Sequence, residues 1–266
     1  MKHLRLSALF LTFGMLAKGQ TCDFDIKSTQ KSLVKINDSL FASKFEVTNK
    51  QYLIFLNFLK QSHQVEKYLV SKIDSSNWRN ELTFNEPYVQ YYHSHPAYAD
   101  YPVVNISYEG ATHFCEWLTA QYNSKVQRKF KKVRFRLPTR DEWITAAKSG
   151  NSQANYPWNG NNFKTKKGLV RCNFKREIGV DREVVEYKRA NADITAPSKS
   201  YWPNKFGLYN MSGNVAEMLA EKGQTKGGSW QDAADAMKIE SNGKFAIYDS
   251  PMSTIGFRFF MDVLEK

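Results

Sequence analysis

The chain has 266 residues, 24% of them charged and 14% aromatic, which excludes a disordered chain and leaves room for a real core in one large domain or two small ones. The formal net charge is +12, and subtracting Lys2, Arg5 and Lys18 of the N-terminal stretch leaves about +9 on the rest. That balance suits anionic partners such as lipid, polysaccharide or nucleic acid, and suits a solvated basic surface equally well.

Residues 1–19 read as a secretory signal. Lys2, His3 and Arg5 give a positive start, and Leu6 to Leu16 is an apolar run of eleven residues, too short to span a bilayer. Ala17-Lys18-Gly19 places cleavage after Gly19. The alternative is lipidation at Cys22, to which the preceding Gly19-Gln20-Thr21 is a poor match. No later stretch is long and apolar enough to cross a membrane. Residues 20–40 form a lead-in, and residues 41–266 form the main domain. Cys22, Cys115 and Cys172 are an odd number, so at least one thiol is free or pairs with another molecule. Cys115 lies in an apolar helical pattern and reads as core; there is no Cys-x-x-Cys and no zinc spacing.

Ser32 to Ile36 is a short strand, and Phe41 to Val47 is a second. Thr48 with Gln51 is a capping box for a helix carrying Tyr52, Leu53, Phe55, Leu56 and Leu59. Residues 61–100 have no clear period and read as a surface excursion. They contain His93-Ser94-His95-Pro96, which reads as a solvated or hydrogen-bonded pair, or as two ligands lacking a third. Tyr101 to Ser107 reads as a strand ending at a helix cap, with Ala111, Phe114, Cys115, Leu118 and Tyr122 following at helical spacing. Residues 125–136 hold seven Lys or Arg residues in twelve, with Phe130, Val133 and Phe135 interleaved; this is a basic hairpin facing water or an acidic ligand. Thr139 and Glu142 cap a further helix, stopped by Gly150.

Residues 206–230 organise the rest. They read Phe206-Gly207-Leu208-Tyr209-Asn210-Met211-Ser212-Gly213-Asn214-Val215-Ala216-Glu217, then Lys226-Gly227-Gly228-Ser229-Trp230. The spacing fits a glycine turn between buried strands. The less favoured alternative is a calcium loop with Asn210 and Glu217 as side-chain ligands and Gly213 and Val215 as backbone ligands. Ile255, Phe257, Phe259 and Met261 alternate in a closing strand, Ile255 to Met261.

These segments, with Phe45-Glu46-Val47-Thr48-Asn49, Arg136-Leu137-Pro138-Thr139 and Tyr156-Pro157-Trp158, resemble the sulfatase-modifying-factor family, whose best-known members are the formylglycine-generating enzymes. The resemblance covers roughly residues 41 to 263. It implies an α+β fold related to C-type lectins, loop-rich with short strands and a few helices. It also implies a structural calcium at the positions matching Asn210, Gly213, Val215 and Glu217. Cys172-Asn173-Phe174 matches a second calcium step, but its usual acidic partner is replaced by Ala190. His95-Pro96-x-Tyr98-x-x-Tyr101 is similar to the gliding-motility and type IX secretion branch of outer-membrane lipoproteins. The enzymes hold Cu(I) with two cysteines after Gly-Gly-Ser; Asp232 and Met237 stand at those places here. A hard carboxylate and a neutral thioether do not replace a thiolate pair.

The implied function is an extracytoplasmic, non-catalytic structural or assembly component, periplasmic, outer-membrane-associated or secreted, with cell-envelope protein partners and no nucleic acid. The alternatives are a lectin-like module for glycan or peptide, and a metal-dependent oxidoreductase using Asp232 with Arg258 or Glu240.

Overall fold

The computed structural model describes residues 24–79, 85–175 and 194–266. The signal-like stretch, Cys22 and Ala190 lie outside them. The described chain is α+β, with local order set largely by helix caps.

Helix α1 (Ile26–Lys31) starts at Asp25, whose carboxylate accepts from the Lys27 N–H. Strands β1 (Leu33–Lys35) and β2 (Leu40–Ser43) form an antiparallel hairpin. Helix α2 (Asn49–Gln61) begins at the expected capping box, in which Thr48 and Gln51 satisfy each other's backbone N–H groups; such a cap is worth about 1 kcal/mol. Its buried face is Tyr52, Phe55, Leu56 and Leu59. The aperiodic stretch holds more structure than its pattern shows: α3 (Val65–Ser71), a 3-10 turn at Ser75–Trp78, α4 (Glu86–Tyr91) and a 3-10 turn at Pro96–Tyr98. Helix α5 (Tyr108–Ser124) is capped by Ser107, β3 (Lys132–Arg136) follows, and α6 (Arg140–Lys148) starts at the second expected capping box, Thr139 with Glu142. Residues 101–107 are not a strand. Asn105 has φ 60°, which interrupts extension, and only Pro102 makes a bridge, to Thr48.

The first sheet has the order β1-β2-β7-β3, with β7 (Phe260–Glu265) antiparallel to β2 and β3. The second has the order β5-β4-β6 and joins β4 (Ala216–Met218), β5 (Thr225–Lys226) and β6 (Ile255–Gly256). The expected closing strand is therefore divided between the two sheets. Its alternation survives: Ile255, Phe257, Phe259 and Met261 share the main core with Tyr52, Phe55, Phe114 and Phe135. Phe260 packs in a second core with Trp143, Ala146 and Leu219. The crossing between the sheets carries Arg258, which is wholly buried. No helix among the described residues is long and apolar enough to cross a membrane.

Candidate functional site

The segment 206–230 supplies the polar centre of the molecule, and its course depends on left-handed backbone. Gly213 has φ 76°, and a Cβ there would stand 2.2 Å from the Asn173 carbonyl oxygen. Gly228 has φ 69°, and its Cβ would stand 2.5 Å from Met237 Cε. Only glycine fits either place. Asn210 and Asn214 also have positive φ, 53° and 68°, a conformation asparagine tolerates better than most residues.

Two linked polar groups fill the space this loop encloses. In the first, Glu217 on β4 faces Arg258. The Arg258 Nε donates to Glu217 Oε2 at 2.7 Å and its NH2 group donates to Oε1 at 2.6 Å. Trp143 Nε1 on α6 donates to the same Oε2 at 2.7 Å. The guanidinium also reaches the carbonyls of Ser43 and Tyr209, at 3.0 and 2.7 Å. In the second group, Glu46 receives Asn210 Nδ2 on Oε2 at 2.9 Å and Asn214 Nδ2 on Oε1 at 2.8 Å. Burial raises the Glu46 carboxyl to about 8, the nearby Glu217 charge adds to the rise, and Arg258 and the two amides oppose it. Glu46 was visible in the sequence only as a carboxylate between Phe45 and Val47; its partners lie more than 160 residues away.

Of the two expected side-chain calcium ligands, Glu217 is engaged by Arg258 and Trp143. Both of its oxygens accept from donors, and its charge is neutralised by Arg258. The Asn210 amide nitrogen is turned to Glu46 and the Ser198 carbonyl. Calcium is left with the family resemblance as its support. At the second expected step, Asn173 Oδ1 is buried without a partner among the described residues, while its Nδ2 donates to the Ile194 carbonyl at 2.8 Å.

Asp232 and Met237 lie beside this centre. Asp232 Oδ2 accepts from the N–H and the Oγ of Ser229, at 2.8 and 2.7 Å, and Oδ1 accepts from the Lys244 N–H at 2.7 Å. The carboxylate thereby pins the turn after Gly228 to residue 244. Met237 is fully buried with Tyr156, Val170, Cys172 and Phe174. Cys115 and Cys172 are both buried, in separate cores. Glu240 is on the surface and pairs with Lys148 at 2.6 Å, apart from Arg258, which is engaged by Glu217.

The two histidines part company. His93 is buried, with Nδ1 against Ser75 Oγ at 3.2 Å and Nε2 against the Val104 carbonyl at 3.1 Å. Burial lowers it to about 4, so it is neutral at physiological pH. His95 is exposed and accepts from the Ala97 N–H. Among the described residues, no group of three or more His, Cys, Asp or Glu is placed to hold a metal.

Comparison with known proteins places this architecture. A 122-residue stretch is 34% identical to a formylglycine-generating enzyme of Thermomonospora curvata, covering 46% of this chain and 34% of the relative. Over 224 residues the chain is 26% identical to the inactive C-alpha-formylglycine-generating enzyme 2 of Bos taurus, covering 72% of this chain and 65% of the relative. A serine/threonine-protein kinase of Chlamydia pneumoniae is 29% identical over 182 residues, 67% of this chain and 22% of the kinase. The match therefore spans about a third of the Thermomonospora protein and about a fifth of the kinase. Among solved structures, PvdO from Pseudomonas aeruginosa superposes with a TM-score of 0.52 at 18% identity, over 84% of this chain and 80% of that one. CarF superposes with a TM-score of 0.50 at 22% identity, over 87% and 93%. These likenesses show the fold, which is the sulfatase-modifying-factor type. The family profile described as the sulfatase-modifying factor enzyme 1-like domain matches residues 8–263, and the chain belongs to that family.

Proposed function

We propose that the chain is a non-catalytic, extracytoplasmic structural or assembly component of a cell-envelope complex, of the gliding-motility and type IX secretion kind. The observation that supports this most is the state of Asp232 and Met237, which occupy the places of the copper-binding cysteines by resemblance. Asp232 has both oxygens committed to the turn it holds, and Met237 is sealed in a core. Neither is a soft anionic ligand, and both are buried. Cys172 shares the core of Met237 and Cys115 lies in a different one, so these two thiols do not stand together as a pair. The expected result of incubating the protein with Cu(I), oxygen and a cysteine-containing sulfatase-motif peptide is no conversion of cysteine to formylglycine. Turnover dependent on copper would overturn the non-catalytic reading.

A binding module is the second reading, and one feature favours it. A groove of about 880 Å³ opens between α1, α2 and the loop at Tyr209, within the usual size of ligand sites. Its walls include Phe45, Ile54 and Tyr209, with Lys44, Lys50 and Lys199 also lining it. A saccharide or peptide that raises the melting temperature would favour this reading over assembly.

A further inference from the structure

The turn between α5 and β3 is cross-linked by hydrogen bonds, strongly basic and tipped by an apolar side chain. Val126 is 88% exposed, more than any other large hydrophobic residue among those described. It is held outward by its neighbours: Arg128 Nε donates to the Lys131 carbonyl at 2.9 Å and Arg128 NH1 donates to the Lys125 carbonyl at 2.7 Å. The turn is also tied to α1, because the Lys129 N–H donates to Gln30 Oε1 at 2.6 Å and Gln30 Nε2 donates to the Gln127 carbonyl.

That tie brings two sets of cations to one face. Lys27 lies one helical turn before Gln30 and Lys31 next to it, and both are exposed. Lys129, Lys131 and Lys132 are exposed on the turn. Lys131 pairs with Glu265, and Asp262 is taken by Arg134 and Arg136. Lys27, Lys31, Lys125, Lys129 and Lys132 make no ion pair with the described residues. The nearby Asp25 is occupied as the cap of α1. Phe24, the first described residue, packs edge-on to Trp117 at 5.9 Å, so the chain enters the fold beside α1.

We propose that this face, residues 125–132 together with Lys27 and Lys31, docks on an anionic phospholipid bilayer, with Val126 entering the headgroup layer. Each lysine brought to such a surface strengthens binding roughly five-fold. An apolar tip among cations has a use at a lipid interface that a soluble polyanion does not provide. A nucleic-acid surface calls for aromatic faces free to stack. The turn's one aromatic ring, Phe130, is covered by Lys129 and packed on Phe41 at 5.4 Å. This inference goes beyond the assembly reading and stands whether or not the chain has protein partners, which partner recovery tests separately.

The test is co-sedimentation of the chain from residue 20 onward, which contains every described residue, with vesicles. Phosphatidylcholine alone is compared with phosphatidylcholine containing about 30% phosphatidylglycerol, each at low salt and at about 0.5 M salt. The expected result is sedimentation with the anionic vesicles only, lost at high salt. Lys129→Glu with Lys132→Glu should weaken it at least roughly 25-fold. Val126→Ser, which removes the apolar tip without changing the charge, should weaken vesicle binding by up to about ten-fold while leaving retention on heparin unchanged. All three positions are exposed, and unchanged melting of the variants serves as the folding control. No binding to anionic vesicles, equal binding to neutral ones, or no effect of Val126→Ser would overturn the proposal; the last would indicate a soluble polyanion as the partner.

Discussion

At the scale of single residues, the stability of the centre rests on two buried carboxylates with opposite electrostatic situations. Glu217 has a full counter-ion, and Glu46 has amides only. Arg258→Ala leaves Glu217 buried without its cation, and removing one partner of such a pair costs about 3–5 kcal/mol. The measurement is a denaturant midpoint, and a loss below about 1 kcal/mol would mean that Glu217 finds another cation. Glu46 predicts a pH dependence. Its folded carboxyl is raised from 4.5 to about 8, so the folded state holds the proton more tightly than the unfolded chain. Stability from this group is fully present below about pH 4.5 and is lost as pH rises through about 8. Glu46→Gln, which resembles the protonated acid, should flatten the decline of melting temperature between those limits. An unchanged slope in the variant would assign the pH dependence elsewhere.

At the scale of elements, the parts that could be read from the sequence were those governed by neighbours. The capping boxes of α2 and α6 each need only residues three apart. The alternation of Ile255, Phe257, Phe259 and Met261 survives as one face of the core. What neighbours do not decide is where a strand breaks. The closing strand divides where Arg258 turns to Glu217, a partner 41 residues away, and residues 101–107 lose their extended course at Asn105. The loop before β4 was recognisable from its glycines and asparagines, but the competing cation on Glu217 came from a different element. This has a measurable consequence for calcium. Because Arg258 already neutralises Glu217, a chelator should leave the melting temperature unchanged. A lowered melt, absent in Glu217→Ala, would instead place calcium on this loop.

At the scale of the whole molecule, the sheets and helices of the described residues hold a polar centre built from distant parts of the chain. Residue 46, residues 210–217 and residue 258 converge there, and Trp143 joins them from α6. Hydrogen bonds and one ion pair bind these parts to each other. We propose that a fold held together in this way serves to present surfaces. The measurement that bears most directly on that account is affinity purification of the tagged protein from its own cell envelope. The account predicts discrete protein partners recovered at a fixed ratio. Recovery of the protein alone, as a monomer, would contradict the assembly role and move attention to the groove beside Tyr209.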